Sequence, residues 1–137
     1  MSYIEFLDYV HRKSFQEASK YNSIVHVIEN YVGKENVEIF YPKNLFVENL
    51  KLEAFTFQND RVSVVYEMDN EGVNLKVLKY IDINKIEMLY SGYYKPLTLK
   101  ISFNTGDEIE LNNMEDTNSA WSHRFTKKIG EIIKLIG

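Results

Sequence analysis

The chain is 137 residues long, with 16 basic and 20 acidic side chains and no cysteine, so disulfides, thiolate catalysis and thiolate-ligated zinc or iron–sulfur sites are excluded. A net charge of −4 disfavours generic attraction to nucleic acid or anionic lipid. The length suits one soluble domain in a reducing compartment, the cytoplasm, burying about two-thirds of its unfolded surface.

The first residues, Met1-Ser2-Tyr3-Ile4-Glu5, carry Glu5 and Asp8 where a secretory leader has basic residues, so export is not expected. No uncharged apolar run approaches the ~20 residues that cross a bilayer. Ser2-x-x-Glu5 has the form of a capping box. Ile4, Leu7, Val10, Phe15 and Ala18, widened by Phe6 and Tyr9, then predict a helix to about residue 19. A second helix is expected from Asn22 or Ser23, since Ile24, Val27, Ile28 and Tyr31 recur at helical spacing and Gly33 supplies a left-handed stop.

From residue 36 the apolar period falls to two and the residues become β-branched and aromatic. Strands are predicted near 36–41, 50–58, 61–68, 73–80, 86–91, 97–103 and 108–112. Asn59-Asp60 predicts a two-residue hairpin with positive φ at both positions, and Asp69-Asn70-Glu71-Gly72 and Asn104-Thr105-Gly106-Asp107 predict longer turns. Val62, Val64, Tyr66 and Met68 alternate with Arg61, Ser63, Val65 and Glu67, giving that strand one face to bury. The segment 118–136 returns to helical spacing through Trp121, Phe125, Ile129, Ile132, Ile133 and Ile136. The chain thus reads as α+β: an N-terminal helical pair over 1–33, then about seven antiparallel strands in a bent sheet or partly open barrel, capped by an amphipathic C-terminal helix.

Seven short antiparallel strands and a closing helix resemble the pleckstrin-homology-like barrel, from about residue 36 to 137. The Tyr80-Ile81-Asp82-Ile83-Asn84-Lys85-Ile86-Glu87 segment is similar to the lead-in to the fifth strand of bacterial members, and Trp121 sits early in the last helix as a tryptophan does in many eukaryotic ones. Phosphoinositide-binding members carry a basic cluster in their first loop; here Tyr41-Pro42-Lys43-Asn44-Leu45-Phe46-Val47-Glu48-Asn49 holds one Lys and one Glu, which departs from that pattern. The whole chain also resembles an uncharacterised group of small proteins from Gram-positive bacteria and their phages, a resemblance that implies no activity.

Among only six glycines there is no G-x-G-x-x-G, G-x-x-x-x-G-K-[ST] or G-x-S-x-G, so phosphate cradles and nucleophile elbows lack their backbone signatures. His11, His26 and His123 fall in three different helices; His26 and Glu29 share a face, but the second copy that a carboxylate-bridged metal site needs is missing. The pairs Asp107 with Glu108 and Glu115 with Asp116 read as solvated. The residues therefore point to no enzyme, metal or cofactor.

The most distinctive segment is Tyr90-Ser91-Gly92-Tyr93-Tyr94-Lys95-Pro96, in which Tyr90, Tyr93, Tyr94 and Lys95 form a candidate interaction surface. The rival expectation, and the favoured one, is that Tyr90 and Tyr94 fold back as packing residues. Local charge is −1 over residues 1–35, −4 over 36–112 and +1 over 113–137. Arg124, Lys127, Lys128 and Lys134 are a second candidate, an anion-binding face on the last helix. Three functions follow in order: a non-catalytic module that binds another protein through the tyrosine loop or an open strand edge; an acidic inhibitor or immunity-type protein that neutralises a toxin or host factor; and an anionic-ligand or membrane-surface binder.

Overall fold

The computed structural model describes residues 1–13, 15–70 and 72–137. Helices α1 (Tyr3–His11) and α2 (Phe15–Val27) precede seven strands: β1 (Ile39–Lys43), β2 (Glu53–Phe57), β3 (Arg61–Glu67), β4 (Val73–Lys79), β5 (Ile83–Tyr90), β6 (Leu97–Phe103) and β7 (Glu108–Asn112). Helix α3 (Ser122–Ile136) closes the chain. Every strand pairing is antiparallel, in two sheets of order β1-β2-β3-β4 and β5-β6-β7. The two sheets do not close into a barrel. No helix among the described residues is long and apolar enough to cross a membrane.

The capping box forms as expected, with the Glu5 amide donating to Ser2 Oγ and the Ser2 amide to Glu5 Oε1. The division of the helical segment differs from expectation. The first helix stops at His11, and α2 runs straight through Asn22 and Ser23. Those two polar residues lie on the solvent face, where the Ser23 hydroxyl donates to the Ser19 carbonyl one turn back instead of capping a helix start. The places expected of the Phe15 and Ala18 side chains, and the turn through Glu71, lie outside the described residues.

Ile4 points to solvent; Tyr3, Phe6 and Val10 are the buried side of α1. Beyond Val27 the helix widens into a π turn, Ile28–Val32, closed by the Gly33 amide on the Ile28 carbonyl. The extra residue rotates Tyr31 out to solvent and leaves Val32 packed in its stead, which overturns the expected Tyr31 contact. Gly33 stops the helix at φ +88° as expected.

The strands sit within a few residues of their predicted places, β1 being shifted to 39–43 behind a short 3-10 turn at Lys34–Asn36. Pro42 fits β1 because this strand is an edge and its missing N–H breaks no ladder. The Asn59-Asp60 hairpin forms, with Phe57 opposite Val62, yet neither turn residue takes a positive φ. The carbonyl of Gln58 accepts from the Tyr80 hydroxyl at 2.6 Å, and Asp60's carbonyl from the Tyr80 amide, so the tight turn is held from the side. At the Asn104–Asp107 turn Gly106 does adopt φ +90°.

Two apolar clusters share the first sheet. One lies between the sheets and under α3, where Tyr41, Phe57, Leu99, Phe125, Ile129 and Ile132 are fully buried. The other packs Phe6, Val10, Ile24 and Ile28 of the helices onto Phe40, Ala54 and Val65. The expectation of one buried face on β3 is therefore corrected. Ser63 and Val65, on the supposed solvent face, are buried because α1 and α2 roof it. Buried Ser63 stays satisfied: its carbonyl accepts from Thr56 Oγ1 at 2.6 Å and its hydroxyl from Gln58 Nε2 at 2.8 Å.

Candidate functional site

Strand β5 hands over to β6 through the six residues 91–96. The Ser91 amide donates to the Pro96 carbonyl and the Lys95 amide to the Gly92 carbonyl. This tight reversal needs φ +129° at Gly92 and φ +60° at Tyr94. For a tyrosine the left-handed region costs on the order of 1 kcal/mol. The rings of Tyr93 and Tyr94 meet edge to face at 4.4 Å. Tyr90, Tyr93 and Tyr94 are 62, 75 and 81 % exposed, so the expected folding-back of Tyr90 and Tyr94 is overturned. The sheet interior beside them is packed with Leu97, Leu99 and Phe125 instead.

The tyrosines border a largely apolar pocket of about 170 Å³, walled also by Leu97, Met114 and the first turns of α3 at Ser122, His123 and Thr126. Its floor depends on Asn113, a residue that nothing in the sequence marks out. The Asn113 side-chain oxygen accepts from the Leu97 amide at 2.9 Å, while its nitrogen donates to Thr126 Oγ1 at 2.8 Å and to the Lys95 carbonyl at 3.3 Å. One buried amide thus ties the tyrosine loop, β6 and α3 together.

Asp116 holds the same segment from the other side. Expected in solvent, it is buried, accepting from the Tyr41 hydroxyl at 2.6 Å and the Asn112 amide at 2.7 Å, with Lys43 Nζ at 3.7 Å. Burial raises its carboxyl above the usual aspartate range despite these partners, and the same burial beside a carboxylate raises the Tyr41 hydroxyl. Asp107, also read as solvated, accepts from the Thr105 hydroxyl and pairs with Lys76 at 3.0 Å, contacts that lower its pKa. Periodicity could not have found Asn113 or Asp116, since the partners of each lie on other elements.

The expected basic face of α3 is divided. Arg124 donates two hydrogen bonds to Glu5, at 2.6 and 3.1 Å, and lies over the Trp121 ring, which in turn stacks on Phe46 at 5.3 Å. Lys128 reaches inward to the Phe40 carbonyl at 2.6 Å and to the Met1 carbonyl, and burial lowers its pKa. Both cations therefore fasten α3 to the N-terminal layer. Lys127 and Lys134 remain exposed. Trp121 lies just ahead of the helix, which starts at Ser122 instead of 118.

Among the described residues no strand pairs with the outer edge of β5, and Met88 and Leu89 next to Tyr90 are exposed. The edges of β1 and β7 are treated differently: Lys43 donates to the Glu110 carbonyl at 2.6 Å and Tyr41 to that of Asn112, linking those strands. Among the described residues no three histidine, aspartate or glutamate side chains converge as a metal site; His26 instead meets the Asn30 amide group. What the arrangement offers chemically is contact area, hydroxyls and free backbone groups. No curated protein and no solved structure matches the chain. A family model described as "Protein of unknown function (DUF3908)" matches residues 2–127, from α1 into α3, and the chain belongs to that family.

Proposed function

We propose that this chain is a non-catalytic protein-interaction module that docks a partner protein on the tyrosine loop and the adjoining free edge of β5. The carrying observation is the exposure of Tyr90, Tyr93 and Tyr94 around an apolar pocket, in a loop whose backbone is strained and firmly anchored. Tyrosine loses few rotamers on binding and supplies both apolar area and a hydroxyl, so three exposed tyrosines on an anchored loop suit a protein surface. The free edge of β5 adds backbone donors and acceptors that an extended segment can use. Four plus three antiparallel strands and a closing helix also support a pleckstrin-homology-like reading of the fold, although that superfold by itself names no partner.

Binding of anionic ligands along the whole basic face is the weaker reading, because Arg124 and Lys128 already serve internal contacts. The test is affinity capture from cytosol with wild type and with Tyr93→Ala/Tyr94→Ala, whose folding is checked by circular dichroism. A protein retained by the first and lost by the second is the expected result; an identical set of captured proteins rules the surface out.

A further inference from the structure

Next to the tyrosine-lined pocket lies a second depression, of about 330 Å³, lined by Met1, His123, Arg124, Lys127, Lys128 and Glu131. His123 walls both. The first depression is mostly apolar and has Lys95 at its lining, with no aspartate or glutamate there among the described residues. The second holds three cations and one acid. Arg124 is neutralised by Glu5, whereas among the described residues Lys128 bonds two carbonyls and no carboxylate, and exposed Lys127 forms no ion pair. The pair of hollows is thus net positive in a chain whose overall charge is −4.

Size limits the occupant of the first hollow. An apolar cavity of about 150 Å³ takes a single benzene ring, so about 170 Å³ holds one aromatic or branched aliphatic side chain and is too small for a cofactor. Charge limits the occupant of the second. Exposed Lys127 favours a carboxylate and repels a basic residue.

Resting on the interaction reading above, we infer that the partner presents an extended acidic–apolar segment: one large apolar side chain enters the tyrosine pocket and a neighbouring aspartate or glutamate lies against Lys127 across the His123 wall. The apolar anchor provides most of the affinity and the carboxylate selects among partners. Lys127 is a specificity determinant here and Lys95 a second, more peripheral one.

A random 12-residue peptide library displayed on phage tests this, selected on the wild-type chain and counter-selected on Tyr93→Ala/Tyr94→Ala. Loop-dependent peptides are expected to place Asp or Glu within a few residues of a large apolar one. A synthetic peptide of that kind should bind Lys127→Glu about five- to tenfold more weakly, and added salt should shrink that difference. Loop-dependent peptides without acidic residues, or with unchanged affinity for Lys127→Glu, overturn the charge inference and leave the interaction surface standing. Selection that yields no loop-dependent peptide overturns both.

Discussion

The two sheets of this molecule are built from similar residues yet live in different surroundings. The first is packed on both faces, by the second sheet and α3 on one side and by α1 and α2 on the other, so successive residues of β2 and β3 are buried regardless of parity. The second keeps the simple alternation: Leu97, Leu99, Ile101 and Phe103 inward, Thr98, Lys100 and Ser102 toward solvent. Its edge strand β5 is exposed along most of its length. A residue's worth in this fold is decided by which sheet carries it, and the part left uncovered is the part that ends in the tyrosine loop.

The largest expected effects come from the doubly covered side. Phe6→Ala in α1 and Phe125→Ala in α3 remove fully buried rings from opposite faces, and each should cost about 3–5 kcal/mol by urea denaturation. Leu89→Ala on β5 should stay within about 0.5 kcal/mol of wild type. A loss below about 1 kcal/mol for Phe6→Ala would mean that the helical roof is dispensable, and the contrast between the sheets would collapse.

The link between the two regions gives an intermediate effect. Asp116→Ala strands the Tyr41 hydroxyl and the Asn112 amide in the interior and should cost about 2–3 kcal/mol. Asp116→Asn keeps an acceptor and relieves the buried charge, so its cost should be under about 1 kcal/mol. Equal losses in the two variants would show that the negative charge, and not the hydrogen bonding, matters.

A small, pH-dependent effect concerns the surface pair that joins α1 to α3. Arg124 holds the Glu5 carboxyl at about 2, below its ordinary 4.5. A depressed carboxylate stabilises the fold above its unfolded value, and that contribution fades as pH falls from about 4.5 toward 2. Because both side chains are nearly half exposed, the amount should be under about 1 kcal/mol. Denaturation midpoints between pH 5 and 2 should fall less steeply for Glu5→Gln than for wild type; parallel curves would remove Glu5 as a contributor.

The outline of this fold was legible in its residues because it rests on local rules. Alternation located every strand to within a few positions, Ser2 and Glu5 announced a cap, Gly33 and Gly106 announced backbone reversals, and Phe125, Ile129 and Ile132 announced the covering helix. The candidate loop was also legible, since three tyrosines beside a glycine and a proline stand out without coordinates. Its exposure was not legible, because a tyrosine that packs and one that waits for a partner have the same one-dimensional pattern.

What the sequence determined by itself, then, is the identity and order of the elements, through periodicities that each segment carries alone. Only the tertiary structure decided where those elements turn for cover: that Ser63 and Val65 lie beneath a helical roof, that Arg124 and Lys128 spend their charge on the N-terminal layer, and that Asn113 and Asp116 secure the loop. These outcomes depend on partners up to a hundred residues or more distant in the chain, and no local pattern records which distant surface will arrive to bury a side chain.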